Sequence, residues 1–179
     1  MERLICVLVG YVFGLIQTGY IYGKKNGVDL RKKGSGNAGT TSALRTMGWK
    51  AGAVTLLGDC FKCVAAVVVV HLIYGKTHTD MMPLLSMYAG MGAVLGHNYP
   101  FYLKFKGGKG IAATAGLIIS TTNIWIVLIC LAAFIAIVAA TRYVSLGSMT
   151  VVTIYLISVI VYGQHGGFGV ENVSYLHEM

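Results

Sequence analysis

Residues 123–140 read Asn-Ile-Trp-Ile-Val-Leu-Ile-Cys-Leu-Ala-Ala-Phe-Ile-Ala-Ile-Val-Ala-Ala, a run without a single charged side chain. A helix needs about 20 mostly apolar residues to cross the hydrocarbon core of a bilayer, and this stretch meets that demand. Working outward, Leu146 to Tyr162 follows after a short basic turn, and four more apolar windows precede it: Leu4 to Tyr22, Ala51 to Tyr74, Met82 to Leu95 and Ile111 to Thr121. The last of these is short and rich in Ala and Gly, which predicts a half-length or protein-buried helix. Over the whole chain 56% of the 179 residues are hydrophobic and 11% charged, whereas soluble domains carry about a quarter charged residues. The sequence therefore predicts an all-α, polytopic integral membrane bundle with six visible spans. Disorder is excluded by the same balance. The first window lacks a small-residue cleavage site followed by a polar mature chain, so it reads as a retained helix rather than a signal peptide. There is no internal repeat and no domain linker.

Of the 14 basic residues, seven lie between Lys24 and Lys50, three between Lys104 and Lys109, and Arg142 stands alone in the next alternate connection. The positive-inside rule places these three connections in the cytoplasm and the loop around Lys76 to Asp80 outside, with Arg3 as the weak dissent. The N-terminus and the polar tail after Tyr162 are then expected outside. A net charge of +8, distributed between apolar segments, points to anionic head groups or small anionic substrates and not to nucleic acid.

Two of the basic connections have the composition of anion grips. Gly34-Ser35-Gly36-Asn37-Ala38-Gly39-Thr40-Thr41-Ser42 lets the backbone turn several N–H groups toward one point, while hydroxyls and an amide add neutral donors. It also suits a flexible connector. Arg45, about a turn further on, favours the anion reading because a guanidinium holds phosphate through two parallel hydrogen bonds. In the second connection Lys106-Gly107-Gly108-Lys109-Gly110 leads straight into the fourth apolar window. A stretch of this kind opening a helix combines free backbone N–H groups, the positive end of the helix dipole and two ammonium groups. The order is not that of a Walker loop, so an ATPase reading has no support. Snorkelling anchor lysines are the plainer alternative. The third connection carries Arg142 and Ser145, read equally as an interfacial anchor and as a phosphate contact.

Within the second window Asp59 and Lys62 stand three apart and share a helix face, where each can neutralise the other. Cys60 and Cys63 form a Cys-x-x-Cys pair without the context of a redox or metal site. All four cysteines, at 6, 60, 63 and 130, are expected reduced and buried. No cofactor and no metal are expected. His97, beside the Lys/Gly stretch and read as a loop residue, is a candidate general base or phosphate donor.

At these positions the chain resembles the acyl-phosphate-dependent glycerol-3-phosphate acyltransferases, the bacterial PlsY family. The resemblance rests on Gly34 to Thr41 with Arg45, on Asp59 and Lys62, on Gly96-His97 with Pro100, on Phe105 to Gly110 with Ala113-Thr114, and on Arg142-Tyr143 with Ser145 and Ser148. It implies a seven-helix enzyme of the bacterial inner membrane with its active-site loops in the cytoplasm. The implied reaction moves a fatty acyl chain from acyl phosphate to the sn-1 hydroxyl of glycerol 3-phosphate, giving lysophosphatidic acid and phosphate. Acyl phosphate, glycerol 3-phosphate and membrane lipids are the implied partners, and phospholipid biosynthesis the implied setting. The site residues carried over are Ser35, Gly36, Thr41, Arg45, Lys106, Gly107, Gly108, Lys109, Gly110, Arg142 and Ser145 for substrate, with Asn37 and His97 as catalytic candidates. Residues 1–179 are expected to form one membrane-embedded acyltransferase domain. Nothing after Tyr162 matches the last helix and the His/Asn-containing motif of the family. A small transporter or channel for a phosphorylated solute would use the same basic loops as a vestibule, and predicts polar residues continuing through the bilayer.

Overall fold

The computed structural model describes residues 1–32 and 37–165, and among these the regular structure is entirely helical. The helices are α1 (Glu2–Gly14), α2 (Thr18–Lys25), α3 (Thr40–Met47), α4 (Trp49–Tyr74), α5 (Met82–Asn98), α6 (Ile111–Thr121), α7 (Ile124–Thr141) and α8 (Val144–Gln164). Short 3-10 turns lie at Leu30–Lys32, Thr79–Met81 and Phe101–Leu103. Three helices, α4, α7 and α8, and the α1–α2 pair taken together are long and apolar enough to cross a membrane. The 17 residues of α5 come close to that length. At about 1.5 Å per residue the 11 residues of α6 reach only about 16 Å, as the short window predicts. The polar tail expected after Tyr162 begins two residues later than that, since α8 runs to Gln164, and from residue 166 on it falls outside those described.

The first window departs from the expected continuous helix. It breaks at Leu15 to Gln17, where Gln17 leaves the helical region (φ −91°, ψ 86°). A break inside lipid strands backbone carbonyls that must find donors within the protein. Here they do: the Tyr102 hydroxyl donates to Leu15 O at 2.6 Å and the Lys62 ammonium to Ile16 O at 2.6 Å.

Close backbone approach between small residues, and not bulky packing, joins α1 to α5. Gly10 and Gly14 on α1 face Gly92 and Gly96 on α5. A Cβ on Gly14 would lie 2.9 Å from the Gly96 Cα, and one on Gly92 would lie 2.9 Å from the Val7 carbonyl carbon. Lipid tails are as apolar as the side chains they displace, so association within the membrane depends on such contact rather than on hydrophobic burial. The same device joins α4 to α6, where a Cβ on Gly116 would meet the Cys60 backbone and lie 2.9 Å from the Cys63 Cβ. Cys63 and Cys60 are thus packing partners of a glycine. All four cysteines are free, but Cys60 is only partly buried, unlike the other three.

The apolar core mixes small and large side chains: Ala66, Ala93 and Cys63 with Leu117, Ile118 and Tyr155 in one cluster, Ala89, Val67 and Val70 with Met82 and Leu85 in another. Helices α7 and α8 pack chiefly on each other and present Trp125, Leu131, Ile135, Leu156 and Ile157 outward, as expected of side chains that face lipid. Tyr155 of α8 meets Thr121 at the end of α6 through a 3.0 Å hydroxyl contact.

Candidate active site

The segment 52–62 of α4 organises the polar end of the bundle. Gly52 lies against Leu44 of α3, Thr55 against Gly19 of α2, and Gly58 against Thr18. Gly19 in turn backs onto the Ala38 carbonyl, so the first basic connection is laid along α4 at Thr55. Two helical turns further on, about 10 Å along the axis, Lys62 meets the end of α5. The two loops read as anion grips are therefore brought to one stretch of one helix.

The first connection is not all loop. Thr40 to Met47 folds as α3, a helix that the absence of an apolar run conceals in the sequence. Asn37 precedes it: its Oδ1 accepts the Gly39 N–H at 3.1 Å, which commits the side-chain oxygen to a turn ahead of the N-cap Gly39. Gly48, at φ +85°, then lets the chain reverse directly into α4. Thr41 and Arg45 are exposed and one turn apart on α3, so they share a face. Thr40 Oγ1 and Ser42 Oγ, in the first turn of α3, are buried without a partner among the described residues. Unmatched hydroxyls beside the free N–H groups of a helix start suit an oxyanion. The sequence shows the Ser/Thr run but not which hydroxyls are left unmatched. Ser35 and Gly36 lie outside the described residues.

The second connection holds the main correction. His97 is not on the loop: it occupies the last turn of α5, 2% exposed. Its Nδ1 lies 2.7 Å from Lys62 Nζ and 3.5 Å from Asp59 Oδ1, and Lys62 donates to Asp59 Oδ1 at 2.9 Å. The pair expected on α4 is thus a buried three-residue cluster closed by His97. The Gln17 amide donates to the His97 carbonyl at 2.8 Å, tying the broken first span to the same point.

From there the chain doubles back. Lys104 and Phe105 both adopt the left-handed region (φ 55° and 59°), which costs about 1–2 kcal/mol for each L residue. The reversal returns Gly107 and Gly108 beneath α5, where their N–H groups donate to Asn98 O and His97 O, each at 3.1 Å. The expectation that these two amides are free for a ligand is therefore corrected: they satisfy the last carbonyls of α5. The amides from Lys109 to Ala113 have no acceptor among the described residues. Gly110, at φ +77°, is the N-cap of α6 and places its Cα against the Asn98 side chain. Asn98 Oδ1 is a further buried acceptor without a partner among the described residues. Lys106 and Lys109 form no ion pair among the described residues.

The third connection stays apart. Arg142 caps α7 in the left-handed region (φ 62°). Both it and Ser145 are exposed, and their side chains make no hydrogen bond to the other two loops among the described residues. Around the first connection, the Arg31 guanidinium forks onto both carboxylate oxygens of Asp29 at 3.2 Å, its backbone N–H donates to Asp29 Oδ1 at 3.0 Å, and the guanidinium lies 4.5 Å over the Tyr20 ring. Those hydrogen bonds hold the Asp29 carboxyl below its ordinary range.

Fold and site together define a polytopic helical membrane protein with two basic, glycine-rich connections gathered along α4, beside a buried Asp–Lys–His cluster. The chain belongs to the glycerol-3-phosphate acyltransferase family, whose pattern it matches over residues 4–177. Among curated relatives of that name, the protein of Clostridioides difficile is 46% identical over 147 residues, which are 82% of this chain and 71% of the relative. That of Geobacter sulfurreducens is 43% identical over 149 residues, 83% and 73% of the two chains. A crystal structure of PlsY (YgiH), an integral membrane glycerol 3-phosphate acyltransferase, in its glycerol 3-phosphate form superposes with a TM-score of 0.78 at 32% identity. The match covers 91% of this chain and 78% of that one. The lysophosphatidic acid form of the same enzyme gives 0.75 at 31% identity, over 90% and 78%.

Proposed function

We propose that this acyltransferase takes its acyl group from acyl phosphate, and not from acyl-CoA, and delivers it to the sn-1 hydroxyl of glycerol 3-phosphate at the cytoplasmic face of a bacterial inner membrane. The observation that carries the reading is the convergence on α4 of two helix starts suited to oxyanions. One is the first turn of α3, with Thr40, Thr41, Ser42 and Arg45. The other is the entry to α6, with Lys106, Lys109 and the amides of Lys109 to Ala113. Two phosphate-bearing substrates need two such places. Ser35, Gly36 and Asn37 precede the first in the sequence, Gly107, Gly108 and Gly110 shape the second, and the distribution of basic residues assigns Arg142 and Ser145 to the same side of the membrane.

An acyl phosphate is a mixed anhydride whose leaving group is phosphate. The acceptor hydroxyl oxygen attacks the acyl carbon, the bond from that carbon to the phosphate oxygen breaks, and the hydroxyl proton passes to a phosphate oxygen. This chemistry needs orientation and charge stabilisation more than a protein nucleophile. The two charges within a span are tied to each other and to His97, which is a structural use of charge and not the lining of a conduit, so nothing here favours the transporter reading.

Purified full-length enzyme assayed with glycerol 3-phosphate and each donor in turn is the test. Lysophosphatidic acid is expected from acyl phosphate and not from acyl-CoA, and equal turnover with acyl-CoA as sole donor overturns the proposal.

A further inference from the structure

We infer that residues 99–105 are not an aqueous loop but a foot set in the cytoplasmic leaflet of the bilayer, with Phe101 and Phe105 among lipid acyl chains and Lys104 reaching the anionic head groups.

The depth follows from helix lengths. The 17 residues of α5 span about 25 Å, short of the roughly 30 Å of hydrocarbon that a crossing requires. The helix ends level with Lys62, whose Nζ meets His97 Nδ1, and level with the break in the first span, where the Gln17 amide donates to His97 O. Beyond that level α2 runs on to Lys25 and α4 to Trp49, about 12 Å and 20 Å further along their axes. The chain from α5 to α6 therefore turns well below the end of the bundle that carries the first basic connection.

The backbone of the turn suits such a place. In lipid each N–H must find an acceptor within the protein. Pro100 has no N–H, and from Leu103 to Gly108 every N–H donates to a carbonyl between His97 and Leu103, at 3.1–3.2 Å. The Tyr11 hydroxyl of α1 donates to Tyr99 O at 2.8 Å. Water would satisfy these groups without so closed a set. The chain holds its own contrast, because the amides from Lys109 to Ala113 have no acceptor among the described residues.

The side chains agree. Phe101 is 58% and Phe105 61% exposed, with Tyr99 and Tyr102 exposed beside them, whereas Leu103 is buried. The protein leaves this aromatic face uncovered. Aromatic side chains favour the boundary between acyl chains and head groups. Lys104 and Lys106, both exposed, complement an anionic leaflet and carry stems long enough to reach its head groups from below. The residues expected of an aqueous turn stand instead at Asn26, Gly27 and Asp29. Tyr102, whose hydroxyl is committed to Leu15 O, pins the foot to the broken span. Because the foot leads through Lys106 into the α6 entry, it holds the proposed phosphate site at the depth where an acyl chain meets its head group. That consequence rests on the proposed acyl-phosphate reaction; the depth itself does not.

The experiment uses full-length enzyme in vesicles of phosphatidylethanolamine and phosphatidylglycerol. In a cysteine-free background, spin labels are placed singly at Phe101→Cys and Phe105→Cys, with Leu131→Cys on the outward face of α7 as the lipid standard and Asn26→Cys as the water standard. Labels at 101 and 105 are expected to collide with oxygen more than with a water-soluble nickel chelate, as at 131. A response closer to that of 26 at either position overturns the inference. In assays, the double variant Phe101→Ser/Phe105→Ser is expected to lose about tenfold in kcat/KM with a long-chain acyl phosphate carried in the bilayer, and to stay within about twofold of wild type with a short-chain acyl phosphate dissolved in water. Equal losses with both donors, or no loss with either, overturn it too. Should wild type transfer no acyl group from acyl phosphate, the proposed reaction fails while the spin-label depths still decide the place of the foot.

Discussion

Gly108 shows how much a single missing side chain positions. Gly108→Ala is expected to push the His97 ring off Lys62 and to lower kcat/KM without altering any charge, measured as activity per folded enzyme. If Lys109, at the α6 entry, holds a substrate phosphate as proposed, Lys109→Ala removes a charge-assisted hydrogen bond of about 1.5–3 kcal/mol, hence about a ten- to hundredfold loss in kcat/KM, while Lys24→Ala is expected to be nearly silent. Wild-type kcat/KM in both Lys109→Ala and Gly108→Ala would remove the phosphate role from this loop. Asp29 offers a titration: its carboxyl is depressed by the hydrogen bonds from Arg31. Its contribution to the turn is complete above the ordinary aspartate range and is lost as pH falls through the lowered value; carboxyl NMR should find that midpoint below the one in Arg31→Ala. At this scale the sequence is informative about pairs and silent about neighbours. Asp59 and Lys62 are legible as partners from their spacing alone. The burial of His97 is not, because Gly96 and Pro100 give its surroundings the look of a loop. Pro100 nevertheless carries a usable signal: a proline keeps only the residue before it out of the helical region, and α5 runs on to Asn98.

Among the elements, α1 and α5 depend on the Gly10-x-x-x-Gly14 and Gly92-x-x-x-Gly96 faces. Gly92→Val should force the two backbones apart at a cost of about 1–3 kcal/mol, read as a lower Tm in detergent. Leu131→Val on the outward face of α7 should leave Tm nearly unchanged. Both glycine pairs are present in the sequence at the spacing that close helix crossings use, so this contact is legible in principle. The break at Leu15 to Gln17 is not, since hydropathy runs on without interruption from Leu4 to Tyr22 and the cause is a set of donors more than 40 residues away. Helix α3 escapes for the opposite reason: Thr40 to Met47 is amphipathic and short, and its apolar side is recognisable only against α4.

For the whole molecule, the alternating distribution of Lys and Arg predicts that residues 24–50, 97–109 and 141–145 share one face of the membrane and 75–80 the other. In a cysteine-free background, Ser35→Cys and Thr77→Cys should react with a membrane-impermeant reagent from opposite sides. Labelling from the same side would refute the arrangement. The all-helical membrane class is the part most fully written in the sequence, because the bilayer leaves a chain of this composition so few structural options. Which loops meet is written only in the packing, through glycines whose partners lie on other helices.

The interrupted first span also bears on the order in which the protein is made. When α1 and α2 enter the bilayer, Lys62 and Tyr102 have not yet reached it, and the carbonyls of Leu15 and Ile16 have no donors in lipid other than their own helix. The nascent segment is therefore held as one continuous helix on insertion, and it can kink only when α4 and the end of α5 arrive to take up those carbonyls. The buried charges of α4 face the reciprocal demand, since Lys62 loses one of its three acceptors unless the first span opens. Breaking the helix and burying the charge are thus one late step of assembly, shared by segments made at different times.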